Sequence, residues 1–161
     1  CDMKKIIDIS KKYNLSLIED CAHSLGSTFN KKLCGNLGDV GCFSFYPTKI
    51  ITTGEGGMLV TNNEIIYKQS RLTRSHGITV DAQQRESSSS WKYDITKLGF
   101  NYRLDELRSS LGVSQFSRIT KINQMIYIVK TNICIDSIFN MPITRQENFH
   151  LKPLLVSITS F

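Results

Sequence analysis

Apolar and polar positions along the chain divide it into short elements with distinct periods. Met3, Ile6, Ile7 and Ile9 recur at near-helical spacing, with Asn14 placed as a helix stop. Leu15 to Ile18 is a short apolar run that reads as a strand ending in Glu19-Asp20. Residues 26 to 38 are rich in glycine, asparagine and lysine, which predicts a loop or hairpin. Val40 to Tyr46 forms a second strand and Gly57 to Thr61 a third. Asn62-Asn63 then precedes a helix carrying Ile65, Ile66 and Leu72. Val80 to Lys92 contains four consecutive serines, Ser87 to Ser90, and reads as a mobile surface loop. Leu107, Leu111, Phe116 and Ile119 predict a further helix over 104–122. From Met125 to Phe161 no clear periodicity remains. Helix, strand, loop, strand, strand, helix implies an α/β layered domain with a largely parallel sheet flanked by helices. There is no internal repeat.

Composition narrows this picture. The 161 residues are 40% hydrophobic and 21% charged, a globular balance sufficient for one domain with a core. No run approaches the roughly 20 apolar residues needed to cross a bilayer, and the amphipathic first residues lack a signal-peptide layout. Five cysteines without a C-x-x-C pair argue against a disulfide framework and a zinc site, and for a reducing cytoplasm. The net charge of +6 is spread along the chain, with no basic run interleaved with aromatics. That pattern disfavours nucleic acid and suits phosphate-bearing small molecules.

Candidate chemistry gathers where strands end. Ligands of open α/β sheets sit at the carboxyl ends of strands. Asp20 closes the first strand, and Lys49 follows the second by a few residues. A carboxylate there can hold a heteroaromatic nitrogen protonated, and a desolvated lysine can form a Schiff base with a carbonyl. Those two groups are what a pyridoxal phosphate site asks of its protein. Spacing alone leaves the plainer readings open, with Lys49 a solvated strand-end residue and Asp20 an ion-pair partner or helix cap. His23, three residues after Asp20, is either a packed histidine or part of the same site. Ser44 lies on the opposite strand face from Phe43 and Phe45, placed for a phosphate or for a neighbouring backbone group. Gly54-Glu55-Gly56-Gly57 lacks the G-x-G-x-x-G spacing, which excludes a dinucleotide fingerprint.

Four motifs then stand in order: LIEDCAHSLGS, GNLGDVGCFSFYPTKIITTGEGGMLVTN, RSHGI and LGFNYRLDELRSSLGVSQFSRI. Over roughly residues 1–124 the chain resembles the sugar-nucleotide aminotransferases of the DegT/DnrJ/StrS type. The resemblance implies part of the large domain of a type I pyridoxal-phosphate-dependent transferase, with the aspartate-aminotransferase fold. It implies Asp20 at the pyridine nitrogen, His23 beside the phenolic oxygen, Ser44 at the phosphate and Lys49 as the Schiff-base lysine. Asn101 resembles the asparagine that reaches the phosphate of the neighbouring subunit in a homodimer with a shared active site. His76 and Arg103 fall in family motifs without an assigned role. The implied reaction is transfer of an amino group, from an amino acid such as glutamate, to a nucleotide-linked keto sugar. It would serve cell-surface polysaccharide or amino-sugar biosynthesis in the cytoplasm. A subgroup with histidine in place of the lysine dehydrates sugars, so Lys49 favours transamination. Family members are longer, and residues 125–161 depart from their pattern. The expectation is a truncated chain that binds cofactor poorly alone, or a non-catalytic remnant acting as a binding or dimerisation module.

Overall fold

The computed structural model describes residues 1–79, 92–133 and 154–158, with side chains through Ile126. Helix α1, Met3–Lys12, begins at Asp2, whose carboxylate accepts the Lys5 amide, and carries Lys11 and Lys12 in its last turn. Asn14 ends it as the sequence predicts. Its φ of 49° is left-handed, a conformation asparagine tolerates, and the Leu15 amide closes on the Ser10 carbonyl.

Strand β1, Ile18–Asp20, starts three residues later than the apolar run suggests. The Leu17 amide is held instead by the Asp39 carboxylate at 2.8 Å. Next comes a hairpin of β2, Thr28–Phe29, and β3, Lys32–Leu33. Asn30 and Lys31 between them are both left-handed, at φ 49° and 67°, which matches the twist of a two-residue hairpin loop. Strands β4, Val40–Ser44, and β5, Gly57–Thr61, complete the centre, and β6, Leu154–Ile158, adds an edge.

The sheet order is β1-β4-β5-β6. The α/β class with helix-flanked sheet holds, but among the described residues the expected largely parallel pairing is not found. There β1 and β4 alone are parallel, with Ile18 opposite Val40 and Asp20 opposite Cys42; β4–β5 and β5–β6 are antiparallel. The reason lies in the connections. A parallel neighbour needs a crossover of a dozen or more residues, and residues 21–39 provide one. After Phe45 the chain doubles back, because the Phe45 amide donates to Gly56 O at 2.8 Å and its carbonyl accepts from the Thr53 amide at 3.0 Å.

Asn63 caps α2, Glu64–Arg74, by accepting the Ile65 and Ile66 amides at 2.9 and 3.2 Å, and α2 packs on β5 and β6. The single helix expected over 104–122 is two. Helix α3, Glu106–Phe116, is capped by Asp105. The Arg118 amide then turns back to the Gln115 carbonyl, tightening the last turn before α4, Ile119–Ile133. The break lets Ile119 bury to 5% exposure against Phe45 and Ile51, at 7% and 3%. Leu25, Phe43, Ile50, Met58 and Ile122 surround that core. Residues 80–91, which hold the serine run, lie outside the described residues.

Candidate active site

The apolar cluster sits beneath the loop that follows β4, and that loop carries Lys49. Phe45 enters the loop and Ile51 leaves it, both buried, so its two ends are anchored in the core. Pro47 sits where its fixed φ suits a turn, and the Lys49 amide donates to Tyr46 O at 3.0 Å. On the return limb, Thr53 is 2% exposed and its hydroxyl donates to Glu55 O. From 63 positions away, Gln115 on α3 accepts the Thr52 amide at 2.9 Å. These bonds fix the loop's base and leave Lys49 half-buried at its outer turn.

Lys49 Nζ lies 2.8 Å from His23 Nε2. A lone pair on one nitrogen must meet a proton on the other at this distance, so the two side chains are joined by a hydrogen bond. His23 is delivered by Asp20. At the end of β1 the Asp20 carboxylate accepts the Ala22 amide at 3.0 Å, an Asx turn that stops the strand and brings the chain round. Among the described residues the ion pairs are Lys5–Asp2, Lys68–Glu64 and Arg108–Asp105. Asp20 thus keeps an exposed carboxylate with acceptor capacity to spare.

Asp20 stands opposite Cys42 in the β1–β4 register, and paired residues present their side chains to the same sheet face. Ser44, two residues on from Cys42, shares that face. Its hydroxyl accepts the Tyr46 amide at a long 3.4 Å and can still donate. The assembled set is a carboxylate and a hydroxyl at adjacent strand ends, with an amine and an imidazole in contact beyond them.

Asn101 is placed elsewhere. Residues 100–102 run beside the end of α2, with Phe100 N on Thr73 O at 2.7 Å, Tyr102 N on Arg74 O at 2.9 Å, and Asn101 bridging Ser75. The described contacts of this exposed asparagine do not include Asp20, His23, Ser44 or Lys49. His76 lies in the same ladder with a left-handed φ of 61° and its amide on Phe100 O. Arg103 is exposed.

Glu19 is a feature that pattern reading passed over. It is 8% exposed, and its carboxylate accepts three backbone amides: Gly35 at 2.8 Å, Leu37 at 2.6 Å and Gly38 at 2.8 Å. The available signal was a charged residue inside a strand, ahead of a glycine-rich turn with amides to offer. Three of the cysteines, Cys21, Cys34 and Cys42, are held toward the neutral thiol. Burial pushes the Cys21 thiol up to about 11. Cys34 and Cys42 are raised too, by burial first, then by the negative charge of Glu19 and Asp20 respectively.

A model of the DegT/DnrJ/EryC1/StrS aminotransferase family matches residues 1–127. Among curated relatives, the uncharacterized protein MJ1066 of Methanocaldococcus jannaschii is 44% identical over 172 aligned positions, covering 98% of this chain and 43% of that protein. The UDP-4-amino-4,6-dideoxy-N-acetyl-beta-L-altrosamine transaminase of Campylobacter jejuni is 40% identical over 118 residues, 73% of this chain and 30% of its own. Among solved structures, Helicobacter pylori PseC, an aminotransferase involved in the biosynthesis of pseudoaminic acid, superposes with a TM-score of 0.72. It is 29% identical and covered over 85% of this chain and 36% of its own. The chain therefore spans less than half the length of these relatives.

Proposed function

We propose, since the chain belongs to the DegT/DnrJ/EryC1/StrS aminotransferase family, that it carries the lysine-bearing half of a pyridoxal-phosphate site for transamination of a nucleotide-linked keto sugar. The observation that carries this reading is the 2.8 Å contact between Lys49 Nζ and His23 Nε2, beyond strand ends that present Asp20 and Ser44. The donor set fits the cofactor's chemistry. Asp20 would accept a hydrogen bond from a protonated ring nitrogen, Ser44 would donate to phosphate, and His23 would face the phenolic oxygen. Lys49 would engage the carbonyl.

Pyridoxal phosphate, when bound, supplies an electron sink for charge developing at the carbon that loses its proton. The chain's own residues do the rest. Asp20, at the end of β1, keeps the ring nitrogen's proton in place by accepting its hydrogen bond. Lys49 moves the substrate proton as a general base and then a general acid, with His23 in hydrogen-bond reach to share it. Glutamate as amino donor, a nucleotide sugar as acceptor and a cytoplasmic setting belong to the same proposal. So does a homodimer in which Asn101 serves the neighbouring subunit's phosphate. Its exposed position, apart from this chain's own cluster, agrees with that role, and Leu98, Phe100, Leu107 and Leu111 are exposed apolar side chains that a second copy could cover.

The test is chemical trapping. The 161-residue chain, incubated with pyridoxal phosphate and reduced with borohydride, should carry a phosphopyridoxyl group on the peptide containing Lys49. Lys49→Ala should abolish the adduct at that peptide. A chain that labels equally at many surface lysines, or never at Lys49, would favour the non-catalytic remnant, a binding or dimerisation module.

A further inference from the structure

We infer that Glu19 is the positioning residue for Asp20. By clamping the 35–38 turn onto β1, it sets the height of β1 against β4 and so holds the Asp20 carboxylate opposite Cys42. The inference rests on the reading of the site given above and extends it to a residue outside the site's face.

Glu19 and Asp20 are consecutive on a strand of three residues, so they project to opposite faces. On the inner face, three amides from one turn converge on a single buried carboxylate. The three bonds engage both carboxylate oxygens, Oε2 with one amide and Oε1 with two. The turn is itself pressed against the sheet. Gly35 is left-handed at φ 91°, and a Cβ on Gly41 of β4 would fall on the Gly35 backbone, 2.6 Å from its carbonyl oxygen. A Cβ on Gly38 would lie 2.6 Å from the Leu17 carbonyl, just ahead of β1. The turn therefore touches β4 through Gly35–Gly41 and β1 through Gly38–Leu17, and Glu19 bolts the three together. β1 has only three ladder residues and an exposed outer edge, with Ile18 66% exposed, so the parallel ladder alone holds it weakly. Moving Glu19 moves the next residue, and the next residue is Asp20.

Cys42 reports on this without any cofactor. Its thiol is shielded by burial and by the Asp20 charge, so a displaced β1 exposes it and speeds its alkylation. The experiment compares the full chain with Glu19→Gln, Gly38→Ala and Ile66→Ala. Gly38→Ala lifts the turn, and with it one of the three amides, while Glu19 itself is unaltered, and it serves if Glu19→Gln fails to fold. Ile66→Ala weakens α2 through a half-buried side chain and alters no hydrogen bond of the turn. Alkylation of Cys42 is followed by mass spectrometry, alongside melting temperature and pyridoxal phosphate affinity. Glu19→Gln and Gly38→Ala should raise the Cys42 rate several-fold and weaken pyridoxal phosphate binding about tenfold, while Ile66→Ala does neither for a comparable fall in melting temperature. Equal effects from Ile66→Ala, or wild-type rates and affinity in both clamp variants, would overturn the inference. If the unaltered chain binds no pyridoxal phosphate yet the Cys42 rates still separate, the reading of the site fails and the clamp on Asp20 stands.

Discussion

Replacing Ile51 by alanine tests whether the small core under the Lys49 loop is what holds the site. Ile51 is 3% exposed and packs with Phe45 and Ile119. The substitution removes three carbons. At about 0.8 kcal/mol per buried methylene the transfer loss is roughly 2.4 kcal/mol. A cavity of about 40 Å³ left unfilled would add about 1 kcal/mol. The expected loss is therefore about 3 kcal/mol, a large share of the ~5–15 kcal/mol by which domains of this size are stable. Urea unfolding followed by circular dichroism reads it directly. With a slope of about 1.5 kcal/mol/M, the midpoint should fall by ~2 M. Ile65→Ala makes the same chemical change on α2 at a position 71% exposed. It should cost nothing and could gain a few tenths of a kcal/mol, roughly the helix-propensity difference. A loss below about 1 kcal/mol for Ile51→Ala, or equal losses for both variants, would refute the reasoning that loop and core are one unit.

Two further outcomes follow from other parts of the molecule. The Cys21 thiol is raised from 9.0 to about 11 by burial, so its neutral form is favoured in the folded state. The corresponding stability is fully present below pH 9 and is lost as pH rises through the folded value. Between those limits the unaltered chain should lose on the order of 2–3 kcal/mol more than Cys21→Ala, measured as urea midpoints against pH; parallel pH profiles would contradict it. Leu107, 84% exposed on α3, should sit in the contact between two copies. Leu107→Lys should weaken self-association about tenfold or more in analytical ultracentrifugation, whereas a monomeric unaltered chain would remove the basis for that face.

Much of the framework was legible from local pattern. Gly57–Thr61 is a strand with the bounds that its apolar run suggests, and Asn14 and Asn63 punctuate helices as their side-chain chemistry predicts. The Gly26–Gly38 stretch contains the hairpin. Asp20 and Lys49 were visible at or just past strand ends, and Ser44 by its strand face. Each of these signals is carried by a residue and its near neighbours, so a one-dimensional reading contains the physics that decides them.

Other features needed partners distant in sequence. The direction of β5 was set by Phe45 bonding to Thr53 and Gly56, which turned the chain back before any crossover could form. The helix over 104–122 is interrupted at Ser117-Arg118, and Ile119 beyond the break is buried against Phe45 and Ile51, partners that no local period records. The contact of Lys49 with His23 joins residues 26 positions apart, and the burial of Glu19 depends on three amides 16 to 19 positions away. By itself the sequence determined which chemical groups this protein owns and which elements carry them. The tertiary structure decided which groups meet, because hydrogen-bond geometry and burial are properties of pairs that only folding brings within 3 Å.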